Sequence, residues 1–207
     1  NTHPYDIVRA MQKHYDADPA KRNLQMESVA HITVQRDMEK RLREEPEINV
    51  AREEFLCHLH REFYRQLLEE FQTVKDPETG QERRVVPGEL RDEAVKVGHH
   101  VPPESGSLEG LLSRFAEFYA PDRHHGAAKL VALAAAHHRL MWIHPFLDGN
   151  GRVGRLLITF LLCEKNALRK PVLYLSHYLK KHRQRYYELL QATRDSGDWE
   201  EWLSFFL

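Results

Sequence analysis

The stretch His144-Pro145-Phe146-Leu147-Asp148-Gly149-Asn150-Gly151-Arg152-Val153-Gly154-Arg155 decides the reading of the whole chain. It sets an imidazole, a carboxylate, an amide, three glycines and two guanidiniums within twelve residues. Packing alone asks for no such mixture. The residues before it, Ala127 to Ile143, are apolar on almost every side: Ala127, Leu130, Val131, Ala134 and Met141 on one face, Leu133, Ala136, Leu140 and Ile143 on another. A helix of that kind is usually buried. Pro145 disfavours helical backbone at His144 and ends the helix there. Val153, Leu156, Leu157, Phe160 and Leu161 then resume helical spacing. The stretch therefore reads as a loop between two core helices, with Asp148-Gly-Asn-Gly at the N-terminus of the second.

That placement has chemical consequences. The first amides of a helix lack internal partners, and the helix dipole adds partial positive charge there. Glycines allow an anion to approach the backbone, so a phosphate site is expected. Arg152 and Arg155, three residues apart, leave one helix face, and a guanidinium can bond two phosphate oxygens at once. A carboxylate among phosphates is repulsive unless a cation intervenes, so Asp148 implies a hard divalent ion, most simply Mg²⁺. His144 is the group that can take a proton near neutral pH. Together these point to attack by a hydroxyl on phosphorus. Taken singly, the turn dipeptides, the histidine or the arginine pair would each be unremarkable.

The pattern His-Pro-Phe-x-Asp-Gly-Asn-Gly-Arg-x-x-Arg resembles the signature of the Fic (filamentation-induced-by-cAMP) domain family and matches it at every defined position. The resemblance implies an all-α, Fic-type helical bundle with a small β-hairpin flap, acting as a protein adenylyltransferase: AMP passes from ATP to a Ser, Thr or Tyr hydroxyl of a target protein. It makes His144 the base and Asp148 the holder of Mg²⁺. Gly149, Asn150 and Gly151 would cradle the phosphates, with Arg152 touching them and Arg155 orienting the γ-phosphate. Related Doc kinases lack the Asp-Gly-Asn-Gly run. The same site also admits transfer of another nucleotide, removal of AMP by an activated water, or nucleotide binding with little turnover.

The rest of the chain bounds this reading. There are 207 residues, 42% hydrophobic, with 30 Lys and Arg against 31 Asp and Glu and a net charge of −1, so no bulk field draws nucleic acid or a membrane surface. Cys57 and Cys163 both lie in helical patterns, which suggests a reducing, cytoplasmic setting without a disulfide framework. No apolar run is long enough to span a membrane, and the N-terminus does not look like a signal. The 14 histidines include the adjacent pairs 99–100, 124–125 and 137–138, but neighbours on a helix do not face each other, and no zinc spacing is present. A homodimer is left open.

Along the chain, residues 4–16 read as a short helix, 16–20 as a turn and 23–43 as a long helix. Phe55, Leu59, Phe63, Leu67 and Phe71, four apart, read as a core-facing stripe. Residues 1–75 are expected to be a helical N-terminal extension and 76–207 the Fic core, packed as one unit. Between residues 83 and 101 the helical pattern stops. Val85-Val86 and Val95-Lys-Val97 look like two short strands about Pro87-Gly88, and an exposed edge there could dock a target by strand addition. Fic domains carry a flap in this place. Ser107 is a candidate N-cap for a helix to about Tyr119. Toward the end, Leu173-Tyr-Leu-Ser-His-Tyr178, the Tyr186-Tyr187 pair and Gly197-Asp-Trp199 resemble the C-terminal part of many Fic proteins, and Tyr187 is a candidate for the adenine pocket. Trp199, Trp202, Leu203 and Phe206 read as a last amphipathic helix.

Many Fic proteins restrain themselves with a helix of pattern Ser/Thr-x-x-x-Glu-Gly/Asn, whose glutamate pairs with the second signature arginine. Upstream, Glu27-Ser-Val-Ala-His-Ile-Thr-Val34 has no glutamate where that pattern needs one. The literal match Ser105-Gly-Ser-Leu-Glu109-Gly110 reads as a helix start with an acid favoured near the dipole. No inhibitory glutamate at Arg155 is expected.

Overall fold

Two buried helices form the centre. α5 (Ala128–Ile143) and α6 (Asn150–Glu164) pack against each other more extensively than any other pair, as their all-round apolar sequences require. Gly154 permits their close approach: a Cβ there would come within 2.5 Å of Met141 Cε and 3.2 Å of the His137 ring. The computed structural model describes residues 3–75, 80–164 and 175–207.

The other helices surround this pair. α1 (Pro4–Met11) leads into α2 (Pro19–Glu44), whose first turn is capped by Asp18 accepting from the Ala20 amide at 2.9 Å, with Pro19 in the first helical position. α2 and α3 (Glu53–Arg65) lie on α6, and α4 (Leu108–Phe118) and α9 (Trp199–Phe206) lie on α5. α7 (Leu175–Lys181) and α8 (Arg183–Ser196) complete the described elements. The final helix buries Trp202 completely, and its indole donates to the Ala134 carbonyl at 3.0 Å. Asp198 caps that helix by accepting from Glu200 and Glu201.

The core stripe is real but shorter as a helix than its spacing suggests. Phe55, Leu59 and Phe63 are buried on α3, which stops at Arg65; Leu67 is buried just beyond it, and Phe71 sits half-buried in a 3₁₀ turn, Glu69–Gln72. Ser107 does not cap α4 through its side chain. It ends a 3₁₀ turn, Ser105–Ser107, and its hydroxyl donates to the Glu104 carbonyl. Residues 173 and 174 lie outside the described residues, and α7 begins at Leu175. Cys57 and Cys163 are both free.

The small sheet is placed differently from the expectation. β1 (Thr73–Lys75) pairs antiparallel with β2 (Glu82–Arg84) in the register Val74 to Arg83, upstream of the expected strands. Val85 is buried against the core instead of lining a free edge. Within 95–101 the pairing is a single antiparallel bridge, Val97 to His100. The physical reason lies in where the 86–91 backbone finds partners. The Gly88 amide donates to the His60 ring at 2.8 Å, and the Arg91 amide to the Pro145 carbonyl at 2.9 Å, so this stretch is laid along the α5–α6 loop.

Candidate active site

His144 ends α5 in the left-handed region, with φ 50° and ψ 61°. Few non-glycine residues adopt it, but here Pro145 disfavours continued helix, and the His144 amide still closes the last turn onto the Leu140 carbonyl at 2.9 Å. The imidazole lies among cations. Burial first, then the neighbouring His100 and the guanidiniums of Arg91 and Arg194, push its pKa down to about 4. A neutral imidazole carries its proton on one ring nitrogen and keeps a lone pair on the other. His144 is therefore a neutral imidazole at physiological pH, the form a base requires.

The loop after it is braced from within and beneath. The Asn150 side chain accepts from the Phe146 amide at 2.9 Å and donates to the Phe146 carbonyl at 2.7 Å. Its amide group thus holds the loop shut, leaving its backbone N–H, with that of Gly151, among the unpaired amides of the first turn of α6. Gly149 has φ 82°, and a Cβ there would come within 2.7 Å of Tyr64 Cε2. The floor under it is two rings of α3. His60 stacks on Phe146, centroids 4.2 Å apart and planes 9° apart, and lies 4.5 Å from the Tyr64 ring. Because His60 Nδ1 accepts from the Gly88 amide, Nε2 carries the proton and donates to the Asp148 carbonyl at 3.1 Å.

The Asp148 carboxylate is the hub of a polar network. Its Oδ2 accepts from the Tyr64 hydroxyl at 2.6 Å and from Arg152 at 3.0 Å. Burial raises its pKa, but the Arg152 charge and the bonds from Tyr64, the Gly149 amide and Arg152 outweigh that, so the carboxyl titrates below its ordinary value. Arg152 also donates to the Tyr64 hydroxyl at 3.2 Å and lies 5.7 Å above the Phe63 ring and 5.9 Å from that of Tyr64. Its remaining terminal nitrogen meets the Glu27 carboxylate of α2 at 2.5 Å.

Arg155, one turn on, is half-buried. Burial pulls its pKa down, offset in part by Tyr186, Tyr187 and Glu27. Its guanidinium lies over Gly151, where a Cβ would be 3.2 Å from Nη1. From α2, His31 comes close enough for Arg155 to help burial hold the imidazole's pKa at about 4. Tyr187 is half-exposed at the same end, 5.2 Å from the Tyr186 ring, with Arg183 5.5 Å over its face. Glu109 is elsewhere: it lines a cleft with Asn49, Glu53 and Glu117 between α3 and α4.

The structure thus gathers His144, Asp148, Gly149, Asn150, Gly151, Arg152 and Arg155 on one loop and helix start. Glu27, His31, His60, Tyr64 and Arg91 join them, none singled out by spacing. His60 and Tyr64, four apart on α3, were the findable pair, since they put polar atoms on an apolar stripe. Glu27 escapes the inhibitory pattern because it stands one residue before Ser28, where the pattern puts its glutamate four after, at Ile32. It also reaches the first arginine, not the second.

A divalent ion fits this donor set in one way. Asp148 is ionised and half-exposed, with Oδ2 engaged by Tyr64 and Arg152. Among the described residues no group of three or more His, Cys, Asp or Glu could hold a metal. An ion here would need most of its ligands from phosphate oxygens and water, which is how Mg²⁺ is commonly held beside nucleotides. Among the described residues no helix is long and apolar enough to cross a membrane.

A family model described as the Fic/DOC family matches residues 50–162. A protein adenylyltransferase Fic of Culex quinquefasciatus is 39% identical over 118 residues, 57% of this chain and 22% of that protein. One of Drosophila virilis is 40% identical over 119 residues, 57% of this chain and 23% of that protein. The chain thus spans less than a quarter of the length of these curated relatives. A solved Fic family protein from Desulfovibrio desulfuricans superposes with a TM-score of 0.70 at 19% identity, covering 98% of this chain and 55% of that one. A Fic-domain signaling protein from Bacteroides thetaiotaomicron gives 0.56 at 21% identity, covering 77% and 56%. At these identities the structural likeness speaks to the fold.

Proposed function

This chain belongs to the Fic/DOC family, and we propose that it transfers AMP from ATP to a Ser, Thr or Tyr hydroxyl of a target protein. The target hydroxyl oxygen bonds to the α-phosphorus, the bond to the bridging oxygen of the β-phosphate breaks, and pyrophosphate leaves. His144 takes the hydroxyl proton on its free ring nitrogen. Catalysis of this kind is mostly positioning and charge stabilisation.

The roles follow the loop. The amides around Gly149, Asn150 and Gly151, at the start of α6, receive phosphate oxygens. Arg152 and Arg155 supply the cationic wall. Asp148 would hold Mg²⁺, which would neutralise phosphate charge. Tyr187 borders the adenine. The target segment docks along 83–101, at the Val97–His100 bridge and not along a regular strand. Residues 1–75 and 76–207 work as one packed unit, because α2 and α3 supply Glu27, His60 and Tyr64 to the loop.

The observation that carries this reading is the neutral His144, held in a left-handed turn, directly preceding a glycine-rich helix start with an ionised Asp148 and two arginines. The test is labelled ATP with Mg²⁺ and a cell lysate, followed by mass spectrometry of what becomes labelled. Wild-type protein is expected to transfer AMP. His144→Ala is expected to lose at least about a hundredfold in rate, within the range for a general base, with ATP affinity nearly unchanged. Near-normal transfer by that variant removes His144 as the base, and label arriving from another nucleotide in preference to ATP changes the donor.

A further inference from the structure

His144 stands in a conformation that strains a side-chain-bearing residue and persists only where its surroundings hold it. Pro145 explains why the helix ends but not why residue 144 turns left-handed. The answer lies in the 86–103 segment. Arg91 is 4% exposed. Its Nε donates to the His144 carbonyl at 2.8 Å, and one terminal nitrogen reaches the Ile143 carbonyl at 3.4 Å and the Pro103 carbonyl at 2.5 Å. The other terminal nitrogen donates to the Glu93 carbonyl at 2.8 Å, and its backbone amide donates to Pro145. One residue therefore grips the carbonyls of 143, 144 and 145 in succession.

The chemistry of that grip is unusual for a buried cation. Arg91's hydrogen-bond acceptors among the described residues are all backbone carbonyls. Burial is what lowers its pKa. A buried guanidinium held only by carbonyl dipoles has no ion pair to offset its desolvation, so these hydrogen bonds are what hold it in place. Its forked, planar donors can reach carbonyls lying in different directions, which a lysine cannot do.

We propose that Arg91 is a positioning residue: its guanidinium holds the His144 backbone in the left-handed conformation and so sets where the imidazole stands. The proposal rests on His144 being the base, but the clamp can be tested without turnover. Arg91 also adds positive charge beside the imidazole, together with Arg194 from α8. Geometry and charge can be separated by substitution. Arg91→Lys keeps the charge and loses the fork; Arg91→Gln loses both.

The first measurement is a double-mutant cycle on thermal stability. Glycine adopts the left-handed region at little cost, so His144→Gly removes the need for the clamp. Arg91→Gln is expected to lower Tm more in the His144 background than in the His144→Gly background; equal losses overturn the clamp. If Arg91→Gln does not fold, the same cycle is run with Arg91→Lys. The second measurement follows the His144 imidazole by NMR. Its titration is expected to move up toward the ordinary histidine value in Arg91→Gln and to stay in place in Arg91→Lys. An unmoved titration in both overturns the charge part.

The third measurement is transfer kinetics on the purified chain. Both variants are expected to lose about tenfold or more in kcat with KM for ATP changed by less than about twofold, because misplacing a reacting group costs rate more than binding. A rise in KM with kcat intact would make Arg91 part of the nucleotide site instead. If the stability coupling is present while His144→Ala remains active, the clamp stands and the base assignment falls. If the coupling is absent while His144→Ala is dead, the base stands and the clamp falls.

Discussion

The Glu27 carboxylate lies 2.5 Å from the Arg152 guanidinium, on a different nitrogen from the one that reaches Asp148. A helix about 125 residues away in sequence thus places a negative charge where a nucleotide phosphate is expected to sit. Phosphate and Glu27 compete for one guanidinium. The pair is partly exposed, so its worth is about 1 kcal/mol, a factor of about five in an equilibrium. Glu27→Ala is therefore expected to tighten ATP binding and raise transfer by about fivefold. Titration of ATP against both proteins checks it, and a weaker affinity in the variant would show that Glu27 orients Arg152 for phosphate.

Gly149 is the loop's least replaceable glycine. Its φ of 82° strains any side chain, and a Cβ would also strike Tyr64 Cε2 at 2.7 Å and the His60 ring at 3.2 Å. Gly98 has a similar φ of 61° with open space around it. Because both share the backbone strain, the clash alone sets the difference: Gly149→Ala is expected to cost about 1–3 kcal/mol more stability than Gly98→Ala and to weaken ATP binding, since the Tyr64–Asp148 contact must shift. Equal Tm losses for the two would mean that the rings yield freely.

Residues 95–101 have one bridge, Val97 to His100, and Val97 and Val101 are exposed. Their amides are expected to exchange with solvent far faster than those of 128–143, where α5 is buried on most sides. Exchange as slow in both would count against a docking segment open to a target.

Acid should weaken the fold through its buried histidines. Burial pushes His137 down to about 3, and His60 and His138 down to about 4, from an ordinary value of 6.5. The folded protein therefore refuses protons that the unfolded chain accepts below pH 6.5. Stability is unaffected by these groups above that pH and falls as pH drops from 6.5 toward 4, by at most about 1.4 kcal/mol per pH unit for each. The geometry supports the sign. His137 Nδ1 donates to the Gly154 carbonyl at 3.2 Å and its Nε2 accepts from the Tyr186 hydroxyl at 2.9 Å, so a second ring proton would break that bond. Calorimetry at pH 6, above the carboxylate range, is expected to show proton uptake on unfolding and a Tm below that at pH 7.5. A Tm that is flat between those values contradicts it.

The sequence by itself determined the two central helices, the loop between them and the chemistry of that loop. Those features are local: 3.6-residue periodicity marks α5 and α6, Pro145 ends the first, and the glycines and charged groups of 148–155 lie within two turns of one another. The tertiary structure decided what surrounds them. Glu27, His60, Tyr64 and Arg91 reach the loop across sequence separations of 125, 88, 84 and 53 residues. Periodicity says which face of α2 or α3 is buried, not which residue of another helix it meets. The sheet moved for the same reason. Val85-Val86 and Val95-Lys-Val97 have strand composition, but the Val85 amide bonds to the Gln72 carbonyl at the end of the β1–β2 pair, and the amides of Gly88 and Arg91 find acceptors in His60 and Pro145.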